Sequence, residues 1–211
     1  MARHMISAAD LFDRLPRPDA PQVLDLRTED DAAADPTKLP AARRATLAQI
    51  TDGEGPAGPT VVYCQRGGKI SQLGAALLRD RGVSAWALAG GHLGWLADGR
   101  PVQPLDLPEG ATWVLRDNPD WTGLCQLWRL RRLVDPTARV LAIAQDQVAV
   151  GCQVIEGRSV PTGRDGALAD WFPLPAATPT FETLLRGRLA RLGDPLAALD
   201  LIDDALAGAA P

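Results

Sequence analysis

The spacing of apolar residues changes several times along the first hundred positions, and each change predicts an element. Ala8, Leu11, Phe12 and Leu15 recur at helical spacing behind Ser7, a good helix N-cap, until Pro16 and Pro18 stop the helix. Gln22 to Leu26 reads as a short buried strand, and the chain from there to Gly58 has no period and is expected to be irregular. Thr60, Val61, Val62 and Tyr63 are β-branched or aromatic and lie between Gly58-Pro59 and Gly67-Gly68, which predicts a second strand. Helical spacing returns at Ile70, Leu73, Leu77 and Leu78 and ends in Arg79, Arg81 and Gly82, a cationic last turn followed by a stop. Ser84 to Leu88 is a third strand, and Gly90-Gly91 opens a short helix through Leu93, Trp95 and Leu96 that stops near Gly99. Strands alternating with helices predict an α/β fold with a parallel sheet flanked by helices, whose ligands gather beyond the carboxyl ends of the strands. Cys64 stands at such an end.

Arg100 to Gly110 is broken by Pro101, Pro104 and Pro108, so a linker is expected over 104–111 between a first domain, 5–103, and a smaller second α/β or α+β domain, 112–208. The second domain should hold a strand from Thr112 to Leu115, a helix from Trp121 to Val134 stopped by Asp135-Pro136, and a strand from Arg139 to Ile143. A strand-like apolar run surrounds Cys152, and Glu182 to Leu192 and Leu196 to Ala207 read as helices. Arg129, Arg131 and Arg132 read as a solvated helix face beside Trp121 and Trp128, and Asp203-Asp204 as exposed helix. Met1 to His4 precede a second methionine, Met5, and are left out of the fold reading.

Composition narrows the classes of function. The 211 residues are 46% hydrophobic and 23% charged, enough for a real core. A net charge of −4 offers no field for phosphate backbones or anionic lipid, so neither nucleic-acid nor membrane partners are expected. The longest uncharged stretch, Gly82 to Ala97, falls short of the roughly 20 apolar residues of a spanning helix. The first residues show no apolar leader, so a cytoplasmic location is expected. Cys64, Cys125 and Cys152 form no even disulfide framework, and His4 and His92 are the only histidines, so neither a metal site nor a cofactor is expected.

The segment Cys64-Gln65-Arg66-Gly67-Gly68-Lys69-Ile70-Ser71 carries the candidate chemistry. A thiol leaves a strand, passes two glycines and two cations, and enters a helix. Glycines let successive N–H groups converge into an anion nest, and the helix start adds its positive end. Such surroundings favour thiolate over thiol and so predict a nucleophile. Cys125, between Leu124 and Leu127, and Cys152 read as structural. His92 reads as a surface residue of its short helix.

These residues resemble a rhodanese domain over 5–103. Val23-Leu24-Asp25-Leu26-Arg27 is similar to the family's strand with an Asp-x-Arg ending, and Leu39-Pro40-Ala41-Ala42-Arg43 stands where a His-Ile-Pro-Gly-Ala segment is usual. Cys64-x-x-Gly67 resembles the active-site loop, and Leu88-Ala89-Gly90-Gly91 with Trp95, Gly99, Pro101 and Val102 the closing signature. The resemblance implies a sulfurtransferase in which Cys64 takes sulfane sulfur from a donor such as thiosulfate as a persulfide and passes it to a thiol or cyanide. Gln65, Arg66, Gly67, Gly68, Lys69 and Ile70 would line the loop, and Asp25, Arg27 and Ser71 would support it. The loop carries Lys69 where Arg is commoner, and Ser71 falls one residue late. Related phosphatases place Arg six residues after the cysteine; Ile70 occupies that place and cannot neutralise a phosphoryl group. The alternative is a non-catalytic or sensing protein in which this fold binds an oxyanion or partner and Cys64 responds to oxidants or chromate.

Residues 112–208 more faintly resemble the carboxyl-terminal domain of chromate-resistance regulators. Trp113-Val114-x-Arg116, Pro119, Trp128, Arg131-Arg132, Val134-Asp135-Pro136, Ala138-Arg139 and Phe181-Glu182-x-Leu184-Leu185 carry the likeness. Thr122-Gly123 and Gln126 replace that family's Asp-Arg pair and cysteine, so a scaffold at the Cys64 mouth is expected from this domain as much as any redox role.

Overall fold

A computed structural model describes residues 4–107, 109–160 and 179–208. The chain divides into two compact units, Met1–Leu107 and Pro108–Pro211.

Unit one is built on a five-stranded parallel sheet ordered β1-β6-β5-β2-β4, from β1 (Met5–Ile6), β2 (Gln22–Asp25), β4 (Ala42–Arg44), β5 (Thr60–Tyr63) and β6 (Ala85–Leu88). Parallel sheets are covered on both faces, which is why the central strand β5 is apolar or β-branched throughout and buried at every position. The register sets Asp25 opposite Tyr63, and Leu26 N–H donates to the Tyr63 carbonyl at 2.8 Å. From β2 the chain moves out to β4, and from β5 it moves the other way to β6. The boundary between β2 and β5 is therefore the switch point of the sheet, where a crevice opens beyond the strand ends. Cys64 follows β5 at that crevice.

Among the described residues, five helices accompany the sheet: α1 (Ala8–Arg14), α2 (Glu29–Ala34), α3 (Leu47–Thr51), α4 (Lys69–Asp80) and α5 (Gly91–Ala97). Ser7 caps α1 by accepting from Asp10 N–H. Helix α4 packs Ala75 and Leu78 into a core with Leu24, Leu26, Ile50 and Val62. On α5, Trp95 is fully buried, packs 6.2 Å from Phe12 of α1, and donates its indole N–H to the Pro101 carbonyl.

The segment expected to be irregular as far as Gly58 instead holds α2, β3 (Thr37–Lys38), β4 and α3. These elements are short and sparing in apolar residues, so side-chain caps, not periodicity, define them. Thr28 accepts from Asp31 N–H ahead of an acidic first turn, and Thr46 forms a reciprocal capping box with Gln49. β7 (Gln103–Pro104) pairs antiparallel with β3, so the start of the expected linker is strand.

Unit two has a parallel three-stranded sheet ordered β10-β8-β9, from β8 (Thr112–Arg116), β9 (Arg139–Ile143) and β10 (Arg158–Ser159). Helix α6 (Trp121–Arg129) is capped by Asp120 and continues into a π-helical turn, Leu130–Val134, closed by Asp135 N–H on the Leu130 carbonyl. The run around Cys152, expected as a strand, is a helix, α7 (Val148–Val154), in which Val148, Gly151 and Cys152 are half-buried at helical spacing while Val150 and Val154 are exposed. The last helices are Pro179–Leu192 and Asp200–Gly208, with a 3₁₀ turn at Pro195–Ala198 taking the start of the second expected helix. Asp203, expected to be exposed, accepts from Trp128 Nε1 at 2.9 Å and Arg132 Nη2 at 2.6 Å, a pair of partners more than seventy residues away in sequence. Arg131 donates to the Ala138 carbonyl, so this arginine run ties unit two together.

Candidate active site

The loop from Cys64 to Gly68 joins the carboxyl end of β5 to the first turn of α4. Two glycines permit its tight path. Gly67 adopts φ 66°, and a Cβ there would lie 2.5 Å from the Leu88 carbonyl oxygen. Gly91 adopts φ 59°, and a Cβ there would lie 2.2 Å from the Cys64 carbonyl oxygen and 2.3 Å from Gly67 N. Only a residue without a side chain lets the start of α5 press against the loop in this way. The contact is then locked by His92 N–H donating to the Cys64 carbonyl and Leu93 N–H to the Gln65 carbonyl, each at 3.0 Å. Gln72 Nε2 holds the Gly67 carbonyl at 3.1 Å from the α4 side.

Turning these carbonyls outward leaves amide groups facing the sulfur. Cys64 is buried, and burial alone would raise its pKa; the Ser71 hydroxyl and the backbone N–H groups of Ser71, Arg66 and Gly68 outweigh that, and the thiol is held below its ordinary value. Cys64 Sγ lies 3.3 Å from Ser71 Oγ. Gly68 caps α4 without a side chain, so nothing competes with the sulfur for these donors from the cap position. The chemistry this permits is nucleophilic attack by a thiolate and storage of a second, anionic sulfur atom in the same amide cradle.

The other residues singled out in the sequence fall around this loop in distinct positions. Arg66 and Lys69 are exposed, Gln65, Gly68 and Ile70 half-buried, and Gly67 and Ser71 buried. Asp25 and Arg27 lie at the end of β2, both side chains fully buried, joined at 2.8 Å. Arg27 also donates to the Asp35 and Thr37 carbonyls, which ties the β2 end to the α2–β3 connection.

His92, expected on the surface, is fully buried. Its Nε2 lies 3.2 Å from Asp35 Oδ2, and its ring stacks on Tyr63 at 6.2 Å. Burial, then the nearby Arg27 charge, pushes its pKa down despite Asp35, so at neutral pH the ring is uncharged and the contact is a hydrogen bond to a carboxylate. Gln72 and Asp35 were not singled out by the sequence; Gly91 was, as part of the closing signature, but not as the residue that presses on the Cys64 loop.

No family model matches the chain, and no curated protein matches it. Solved structures similar to it include a rhodanese-related protein from Thermoplasma volcanium, at 22% identity over 49% of this chain and 99% of that one, with a TM-score of 0.41. A rhodanese homolog from the extremely thermophilic bacterium Thermus thermophilus is 29% identical over 43% of this chain and 98% of its own, with a TM-score of 0.35. A probable thiosulfate sulfurtransferase is 23% identical over 47% of each chain, with a TM-score of 0.39.

Proposed function

We propose that the protein is a sulfurtransferase that carries sulfane sulfur on Cys64. The observation that supports this most is the amide-lined cradle around Sγ, in which a buried thiol is nevertheless held toward its anion. In the first half-reaction Cys64 thiolate attacks the outer sulfur of thiosulfate. The Sγ–S bond forms, the bond to the sulfonate sulfur breaks, and sulfite leaves with the electron pair. In the second, cyanide attacks the outer sulfur, the Sγ–S bond breaks, and thiocyanate leaves while the pair returns to Sγ; a thiolate acceptor leaves as its persulfide in the same way. Exposed Arg66 and Lys69 draw the dianionic donor to the mouth. Asp25 and Arg27 hold the strand end beneath the loop. Ile70, where a phosphatase needs a cation, favours sulfur over phosphoryl chemistry. The cytoplasm, with its reducing thiol pool, suits a working free thiolate. For unit two, the likeness to chromate-resistance regulators rests on sequence motifs alone and assigns it no chemistry here.

Initial rates of thiocyanate formation over a grid of thiosulfate and cyanide concentrations test the reading. Parallel double-reciprocal lines, absent in Cys64→Ser, are expected for the two half-reactions. Absence of thiocyanate with every sulfane donor, alongside a single stoichiometric oxidation of Cys64, would overturn it in favour of the sensing alternative.

A further inference from the structure

Ser71 lies on the first turn of α4 and is fully buried. Its Oγ is 3.3 Å from Cys64 Sγ and 3.2 Å from the Gly68 carbonyl oxygen. A serine hydroxyl has one hydrogen to give and lone pairs to receive. While the sulfur is protonated, S–H donates to Ser71 Oγ, and the hydroxyl hydrogen goes to Gly68. Once the sulfur is ionised, two acceptors compete for that hydrogen. The anion wins, since a hydrogen bond to a charged acceptor is roughly twice as strong as one to a neutral acceptor.

We propose that Ser71 is a catalytic residue whose hydroxyl swings from the Gly68 carbonyl to Cys64 Sγ each time negative charge gathers on that sulfur. This rests on the sulfurtransferase reading. Charge sits on Sγ in the free thiolate, moves to the outer sulfur as sulfite departs, and returns to Sγ as the acceptor takes the outer sulfur away. No proton changes owner in either attack; the hydroxyl only turns. In the first half-reaction Ser71 stabilises the attacking thiolate itself, which raises its fraction but lowers its intrinsic nucleophilicity, and the two effects oppose. In the second half-reaction Sγ is the leaving group, so the same bond strengthens toward the transition state and accelerates the step. Ser71 therefore serves discharge of the persulfide more than its loading.

Other charged or titratable groups on the surrounding elements are engaged elsewhere or point outward. Asp25 and Arg27 on β2 hold one another, Tyr63 of β5 is buried with its hydroxyl near Leu39 N–H, His92 on α5 holds Asp35, and Arg66 and Lys69 are exposed. A shift in the pH response of Cys64 on altering Ser71 is thus attributable to the hydroxyl at 3.3 Å.

The two half-reactions are to be timed separately, by quenched-flow mass measurement of loading with thiosulfate and of discharge of preloaded protein with cyanide, above the thiol pKa. Wild type, Ser71→Ala, Ser71→Thr and Gln72→Ala are compared, with melting curves to verify folding and the pH midpoint of iodoacetamide alkylation of Cys64 as a turnover-independent readout. Ser71→Ala is expected to slow discharge roughly 10- to 100-fold, the worth of a hydrogen bond to a charged group. Loading at that pH should be unchanged or up to about 3-fold faster, because the thiolate is already fully formed and loses only the hydrogen bond that lowered its nucleophilicity. The alkylation midpoint should rise, and Ser71→Thr should restore both values. Equal slowing of both halves in Ser71→Ala, or the same pattern in Gln72→Ala, which loosens the loop without touching Sγ, would overturn the proposal. So would an unmoved midpoint. If wild type never loads sulfur, the sulfurtransferase reading falls and takes the catalytic role with it; a midpoint that still moves in Ser71→Ala identifies that as the failure, and not a missing Ser71 contact.

Discussion

Cys64 and Cys125 expose the same 6% of their surface, yet their thiols are driven in opposite directions. Burial is the largest influence on both and raises both. At Cys125, in the body of α6 between buried Leu124 and Leu127, the backbone N–H groups belong to the helix, and the partial help of the Arg129 charge leaves the thiol pushed up to about 12. At Cys64 the chain has just left a strand and has not yet begun its helix, so amides are free to turn toward sulfur, and the net direction is down. Burial does not decide the reactivity of these two cysteines; the uncommitted backbone donors around one of them do.

The largest effect that tests this contrast is exchange of the cysteines. Cys64→Ser should reduce thiocyanate formation to background, while Cys125→Ser should leave it within about 2-fold, since a buried Cys acts as a small hydrophobe; loss of turnover in both would break the comparison. Next come the glycines beside each thiol. Gly91→Ala forces a methyl to 2.2 Å from a backbone oxygen and should cost about 3 kcal/mol in denaturant melts, with loss of the low alkylation midpoint of Cys64. Gly123→Ala, near Cys125 and with its nearest neighbour at 3.1 Å, should stay within about 1 kcal/mol of wild type, helped by helix propensity.

The pH dependence has opposite signs at the two sites. Cys64 binds its proton less tightly folded than unfolded, so its contribution to stability is present above the unfolded thiol pKa and is lost as pH falls through the folded value. Cys125 binds its proton more tightly when folded; its contribution is full below the unfolded pKa and is lost as pH rises toward about 12. Alkylation of native protein should accordingly label Cys64 at a lower pH than an ordinary thiol and spare Cys125 until denaturant is added, as peptide mapping would report. The smallest effect is expected outside the cradle. Arg66→Ala or Lys69→Ala should raise the KM for thiosulfate about 2- to 5-fold with kcat little changed, because exposed charges contribute only about 0.2–1 kcal/mol each. A large fall in kcat would move those cations into the chemistry.

What could be read from the sequence depended on how far apart the cooperating residues lie. The Cys64 loop was visible because Gly67, Gly68, Arg66 and Lys69 are contiguous with the thiol, and the three strands Gln22 to Leu26, Thr60 to Tyr63 and Ser84 to Leu88 announced themselves by β-branched or apolar runs bounded by turns. Helices α2 and α3 were missed because six or fewer residues, few of them large and apolar, carry no helical period. His92 was misplaced because its partner Asp35 lies 57 residues away, and Asp203 because Trp128 lies 75 away. The role of Gln72 and the pressure on Gly91 depend on two helices meeting one loop, which no local pattern encodes.

The central claim is that Cys64 holds a transferable sulfur. The most direct test is the intact mass of the full chain after incubation with thiosulfate and removal of excess, followed by a second mass after cyanide, with Cys64→Ser in parallel. The account predicts a gain of one sulfur atom, mapped to Cys64, erased by cyanide and absent from the variant. An unchanged mass, or a gain equal in Cys64→Ser, would contradict it.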